Sequence, residues 1–369
     1  MIVAVLGAGN GALATAGDLA LRGHDVRLWA RRTEALEAVR RAGGITFTGE
    51  GRQGLARLAT LTGDMGEACD GAQVIVAPVP ATAQADLARR LAPVLTARQV
   101  VLLAPGTLGT YAMARDVARA GGTLPFALVE TGTLPYLARR SGPAEVKAPV
   151  SAANLPAGAF PGFRSAQALA TVTTLYPSIR PCLDALDAAL TNAGPVLHPP
   201  LVLLNLGAID AGRFDIHTAG TTPSVRRLIE TVDAERLAAR AGWGYPAPHY
   251  EQATYYDPAR AAAGLYGAGA RAKLQASGLW DEVLGFEHRY VAEDVVLGLA
   301  LLESAGRTVG ADTPASSGLL QVFAALLGRR LVGSGRALEA LGLGDLALRE
   351  IRTFMHEGWT SPLWERLVR

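Results

Sequence analysis

Gly7, Gly9 and Ala12 stand in the spacing G-x-G-x-x-A, directly after the apolar run Ile2–Leu6. The first glycine allows a tight turn. The second lets a pyrophosphate approach the backbone, and the small sixth residue lets a helix close on the strand. From Leu13 the spacing of Leu13, Ala16, Gly17 and Ala20 is helical. The free N–H groups and positive dipole end of that helix then face the turn. Gly7, Gly9, Asn10, Gly11 and Ala12 are therefore candidate dinucleotide-binding residues. The plainer alternative is a structural strand–helix turn in another α/β fold.

The choice of dinucleotide is written further along. NAD-binding units place Asp or Glu at the end of the second strand, for the ribose 2′-hydroxyl. Here that region reads Leu28-Trp29-Ala30-Arg31-Arg32-Thr33, with no acid before Glu34. Arg31 and Arg32 suit a 2′-phosphate, which favours NADP over NAD. The alternative is a pair of solvated arginines at a helix start. Pro78, Pro80 and Pro105 follow apolar strands, where ligands lie along the carboxyl edge of a doubly wound sheet. They are candidates for lining the cofactor, and ordinary turn chemistry accounts for them equally well. The segment Glu130–Tyr136 is polar at a strand end. Glu130 and Tyr136 are candidate substrate contacts, although Glu130 would serve equally to cap a neighbouring turn.

Six histidines are present, and no pair has zinc-motif spacing with other ligands, so no metal is expected. His198 is followed by Pro199 and Pro200 at a predicted helix start. A helix N-terminus disfavours the imidazolium and a nearby carboxylate favours it. Opposed effects of this kind hold a histidine near neutrality, as a general acid/base requires. Taken alone, the residues favour a capping or exposed histidine.

The elements that must position these residues fall into two groups. Strands are predicted at His24–Ala30, Val74–Pro78, Gln99–Ala104, Leu124–Val129 and Glu145–Ser151, with a hairpin over 45–60. Helices are predicted at Thr82–Leu95 and Ser165–Leu175. Near residue 185 strand patterns give way to helical periodicity. The expected fold is α/β, with a Rossmann-type doubly wound sheet over 1–185 and a mostly helical domain over 186–369. In the second domain, Leu183–Asn192 ends at Ala193-Gly194-Pro195. A helix then starts at His198-Pro199-Pro200, with Leu201–Ala208 as its body. Further helices are expected at Pro223–Ala241, Glu282–Leu302 and Ser316–Leu327, with another segment near Leu338–Gly358.

Composition excludes several classes. The chain of 369 residues is half hydrophobic, long enough for two cores and unlike a disordered chain. Net charge is +2 and no basic run stands out, which argues against nucleic-acid binding. Cys69 and Cys182 lie far apart and suggest neither a disulfide framework nor a metal site; a reducing cytoplasm fits. No apolar run reaches the length of a membrane span, and the start lacks the basic region of a signal peptide.

Four segments together resemble the opine dehydrogenase family (octopine, nopaline and related enzymes). They are the GAGNGA turn, Glu130–Tyr136, Gly194–Pro200 with its His-Pro pair, and Arg289-Tyr290-Val291-Ala292-Glu293-Asp294. They span both domains, and the third and fourth are the more selective. The resemblance implies a small-molecule enzyme that joins an amino acid to a 2-oxo acid as an imine, which NAD(P)H reduces. It implies that His198 and Asp294 form a catalytic dyad and that Arg289 holds a substrate carboxylate. One feature resists this assignment. Positions five apart on an α-helix point about 140° apart, so Arg289 and Asp294 would not share a face. A surface pair between Arg289 and Glu293 is the simpler alternative. Oligomeric state is left open, a homodimer being one option.

Two other readings compete. A ketopantoate reductase or glycerol-3-phosphate dehydrogenase relies on lysine at the reacting centre, and Lys147 and Lys273, the lysines present here, lie in no comparable motif. A non-catalytic NADP sensor would keep the glycine turn and have no use for the His–Asp pair.

Overall fold

The computed structural model describes residues 1–278 and 283–368. The chain divides into two compact units at Ala185/Leu186. The first unit holds the strands β1 (Ile2–Leu6), β2 (Asp25–Trp29), β3 (Ile45–Gly49), β4 (Arg52–Ala56), β5 (Thr60–Thr62) and β6 (Val74–Ala77). It continues with β7 (Val100–Leu103), β8 (Ala127–Thr131), β9 (Tyr136–Gly142), β10 (Glu145–Ser151), β11 (Leu155–Phe160) and β12 (Ile179–Pro181). Eight of these form one sheet in the order β12-β11-β8-β7-β6-β1-β2-β5. All neighbours pair in parallel except β8 and β11. Their apolar runs are buried, as strands covered on both faces must be. From β1 the chain goes out to β2 on one side and returns to β6 on the other. The turn after β1 therefore lies at the point of reversal, where doubly wound sheets bind ligands.

The expected strand over Leu124–Val129 in fact runs Ala127–Thr131, which carries Glu130 into the sheet. Strands β9 and β11 carry no clean alternation and are found only in the structure. β9 joins β10, β3 and β4 in a second sheet of order β4-β3-β10-β9. That sheet lies on the first helix, Asn10–Leu21. Phe47 of β3 packs against Gly17, where a Cβ would come within 3.0 Å of the ring. Asp18, buried on the same helix, ties the sheet down. The Tyr136 hydroxyl donates to its Oδ2 at 2.8 Å, and Arg52 and Arg22 pair with the same carboxylate.

The second unit, Leu186–Phe354, has helices as its regular elements and no strand among its described residues. The helix bearing His198 runs Gly194–Leu203, so it starts four residues earlier than the predicted start at His198. Gly194-Pro195 opens this helix instead of closing the one before. Proline suits a first turn, where its missing N–H would have had no helical partner. The long helix Pro223–Trp243 is capped by Thr222 and stopped by Gly244 at φ +76°. Tyr290–Leu299 is a π-helix that runs on into the α-helix Ala300–Thr308. The expected helix start at Glu282 lies outside the described residues. No helix among the described residues is long and apolar enough to cross a membrane.

One boundary differs from expectation. Residues 355–368, assigned to the helical domain by periodicity, belong with the first unit. Trp359 and Trp364 set their rings 5.7 and 6.3 Å from Phe160 of β11, and this aromatic cluster decides their allegiance.

Replacing Tyr136 by Phe removes the neutral donor from a buried carboxylate. Stability is expected to fall by about 1–3 kcal/mol, read as a lower urea midpoint at unchanged slope.

Candidate active site

The glycine turn takes the form its spacing predicted. Gly7 adopts φ +118°, open to glycine and strained for other residues, and its N–H bonds to the Trp29 carbonyl at 2.8 Å. The helix that follows has Gly9 at its N-cap and no acidic side chain in its first turn. A Cβ built on Gly9 would meet nothing within 4 Å, so the space over this residue is open on the outer side. Gly11 backs onto Pro78, with 3.3 Å between a built Cβ and the proline. Uncapped N–H groups below an open space fit the pyrophosphate of a dinucleotide. At the end of β2, Arg31 and Arg32 are exposed, and Arg31 lies 3.4 Å from Asp86. Pro78 and Pro105 are half-buried and Pro80 exposed, all just past the carboxyl ends of β6 and β7.

Glu130 and Tyr136, the candidate substrate contacts, are both buried and bonded to partners within the protein. Glu130 is fully buried, and its carboxylate accepts from the N–H groups of Leu108 and Thr110 at 2.7 and 3.0 Å. The Thr110 hydroxyl donates to it at 2.7 Å. It thus anchors the loop Pro105–Leu108 and the start of the helix Gly109–Arg119, the capping role that was its alternative. Tyr136 is buried against Asp18, and burial pushes its hydroxyl well above the usual tyrosine range.

The helical unit holds the second cluster. His198 and Asp294 are both buried, and Nδ1 of the histidine lies 2.7 Å from Oδ2 of the aspartate. A carboxylate there fixes the proton on Nδ1 and leaves Nε2 with its lone pair. Burial draws the His198 pKa below its ordinary value, while the Asp294 charge opposes that shift. The ring is therefore neutral at neutral pH. The two helices meet closely: a Cβ on Gly194 would fall 2.3 Å from Oδ1 of Asp294, and one on Gly298 would fall 2.2 Å from Pro195.

Arg289 stands at the N-cap of the π-helix. In a helix bonded i to i+5, residues five apart return to nearly the same face. The objection drawn from α-helical geometry therefore does not apply to Arg289 and Asp294. Burial works against the guanidinium charge, but nearby charges outweigh it and raise its pKa. Asp294 acts most strongly among them, ahead of Glu293. Arg289 is thus a half-buried cation on which the Asp294 charge acts, and that of Glu293 less strongly.

Three residues of this cluster were not singled out as site residues from the sequence. Tyr290 stacks on His198 with ring centroids 3.7 Å apart and 16° between planes. Its hydroxyl shares a 3.0 Å hydrogen bond with Nε2 of His217, and His288 packs edge-on at 4.3 Å. Tyr290 and His288 flank Arg289 in sequence, which was the available signal; His217 offered none. Beside Tyr290 lies a small hollow with Val202, Leu206, Ile209, Phe286 and Asp210 among its walls. Among the described residues, no group of three or more His, Cys, Asp or Glu is placed to hold a metal ion.

Comparison with known proteins gives concordant matches. The model of the NAD/NADP octopine/nopaline dehydrogenase alpha-helical domain matches residues 181–327. That of the NAD-dependent glycerol-3-phosphate dehydrogenase N-terminus matches residues 2–108. An opine dehydrogenase of Arthrobacter sp. (strain 1C) is 30% identical over 355 residues, covering 95% of this chain and 97% of that one. Among solved structures, an octopine dehydrogenase in complex with NADH and agmatine superposes with a TM-score of 0.70 at 20% identity, over 95% of this chain and 97% of the other. A yersinopine dehydrogenase with NADP+ bound gives 0.65 at 14% identity, over 95% and 99%.

Two outcomes test the geometry. Gly194→Ala places a methyl group against the Asp294 carboxylate and should lower kcat/KM by about 10²-fold with little change in nucleotide affinity. Asp294→Asn removes the charge that raises the His198 pKa. The acid limb of the pH profile for kcat/KM should therefore move to lower pH, on top of a lower plateau.

Proposed function

Because this chain belongs to the opine dehydrogenase family, and is accordingly an NAD(P)-dependent oxidoreductase acting on CH–NH bonds, we propose that it condenses the amine of an amino acid with a 2-oxo acid and reduces the resulting imine, and runs the reverse oxidation. The observation that carries this reading is the buried His198–Asp294 pair with the Arg289 cation beside it. It couples a neutral base to a site for a carboxylate, and both substrates of the reaction carry one.

His198, neutral with Nε2 free, takes a proton from the ammonium group of the amino acid, which makes the amine nucleophilic. The amine nitrogen bonds to the carbonyl carbon of the oxo acid, and a proton passes from nitrogen to oxygen. His198 then returns its proton to the departing hydroxyl, which leaves as water, and an iminium remains. Asp294 steadies the imidazolium between the two transfers and keeps the ring turned. Arg289 clamps a substrate carboxylate through paired N–H bonds. Bound NAD(P)H supplies the hydride that reduces the C=N carbon, giving the secondary amine.

Gly7, Gly9, Asn10, Gly11 and Ala12 would hold the pyrophosphate, with Pro78, Pro80 and Pro105 along the same sheet edge. Arg31 and Arg32, with no acid at the end of β2, favour NADP over NAD; Arg31 would exchange Asp86 for the 2′-phosphate. The hollow beside Tyr290 combines aliphatic walls (Val202, Leu206, Ile209, Leu284) with the rings of Phe286, His288 and Tyr290, and the Asp210 carboxylate at its edge disfavours an anionic amino-acid side chain there.

The test is oxidation of NADPH, and separately NADH, by a set of amino acids with pyruvate or 2-oxoglutarate. Oxidation should require both partners and fall by about 10²–10⁴-fold in His198→Ala. Oxidation with the oxo acid alone would instead mark a hydroxy-acid dehydrogenase. Replacing Arg31 and Arg32 by Ala should raise KM for NADPH and leave that for NADH nearly unchanged.

A further inference from the structure

The second sheet of the first unit has so far served only as a cover for the first helix, yet it places a cation at the glycine turn. Strand β9 runs antiparallel to that helix, and its register is fixed at both ends. Tyr136 bonds to Asp18, and the backbone N–H of Arg140 donates to Oδ1 of Asn10 at 3.1 Å. The lengths match. Four strand residues span about 13 Å, and eight helical residues from Asn10 to Asp18 span about 12 Å. Tyr136 at one end of the ruler thus sets Arg140 at the other.

The Arg140 guanidinium reaches back over the turn. Nη1 lies 3.5 Å from the Ala8 carbonyl, and Nη2 donates to the Pro143 carbonyl at 3.2 Å. These are its side-chain partners, both uncharged, and among the described residues no carboxylate pairs with it. Arg22, Arg27, Arg31 and Arg52 of the same unit each pair with an aspartate. Arg140 is therefore an exposed cation without a counter-charge, next to a helix N-terminus that has no acid of its own and is open above Gly9.

We propose that Arg140 is a pyrophosphate-binding residue: with the dinucleotide in place, its guanidinium exchanges the Ala8 carbonyl for a phosphate oxygen. The inference rests on the dinucleotide reading of the turn and assigns a binding role to a strand outside the main sheet. Arginine suits the task, since it stays charged and presents two parallel donors to a phosphate. The pyrophosphate is common to NAD and NADP, so the contribution is the same for both, unlike that of Arg31 and Arg32.

Titration of the purified chain with NADH and with NADPH, followed by nucleotide fluorescence without substrates, tests this. Arg140→Gln should raise both dissociation constants by about tenfold and by the same factor, with an unchanged melting temperature. Arg140→Lys should recover part of the loss, and the salt dependence of NADH binding should weaken in the Gln variant. Unchanged affinity for both nucleotides would overturn the proposal. Loss confined to NADPH would overturn it too, by placing Arg140 at the 2′-phosphate. Binding of neither nucleotide by the unaltered chain would overturn the dinucleotide reading and this proposal with it.

Discussion

The hydrogen bond between His198 and Asp294 sets the terms for the helical unit. A buried carboxylate is costly unless a donor meets it, and a buried imidazole has no set orientation unless an acceptor holds it. Each answers the need of the other, but only if two helix backbones come unusually close. Gly194 and Gly298 permit that approach from opposite sides, one beneath the aspartate and the other beneath Pro195. The π-helical winding completes the arrangement by bringing Arg289 round toward the face that carries Asp294. Stacking by Tyr290, itself bonded to His217, closes one side of the imidazole. The other elements of the unit supply the buried frame on which this contact rests.

The first unit solves a different problem, that of holding a strand-edge surface in shape without filling it. Glu130 is buried under the loop after β7, where a Cβ on Gly106 would strike it at 2.3 Å. Its negative charge is matched to the backbone N–H groups at a helix start, a favourable place for an anion. Asp18 does similar work further round, gathering Tyr136, Arg22 and Arg52. Both acids act as internal fasteners, and both leave the N–H groups at the glycine turn available.

Much of this was legible in the sequence, for reasons that can be named. The glycine turn announces itself because its chemistry is local: strand, turn and helix are contiguous, and the special backbone angle at Gly7 follows from residue type. The dyad was not legible from residues alone. His198 and Asp294 lie 96 positions apart, and only the likeness of their flanking segments to a known family joined them. Two further side chains depend on what lies far from them in sequence. Whether Glu130 faces a cleft or an amide depends on how far β8 extends, and Tyr136 meets a partner 118 residues away. Local pattern carries no information on either. Arg289 posed a different difficulty, since helical spacing was read as α and the segment is wound as π.

The return of residues 355–368 to the first unit bears on the order in which the molecule is made. Domains usually fold as units from the N-terminal side as synthesis proceeds. Here the aromatic cluster around Phe160 waits for Trp359 and Trp364, which are translated only after the whole helical unit. The helical unit is one uninterrupted length of chain and has its dyad partners in hand before the first unit is complete. The unit begun first is thus finished last, and a nascent chain halted between the two holds the His198–Asp294 pair already formed while the aromatic cluster of the first unit is still open.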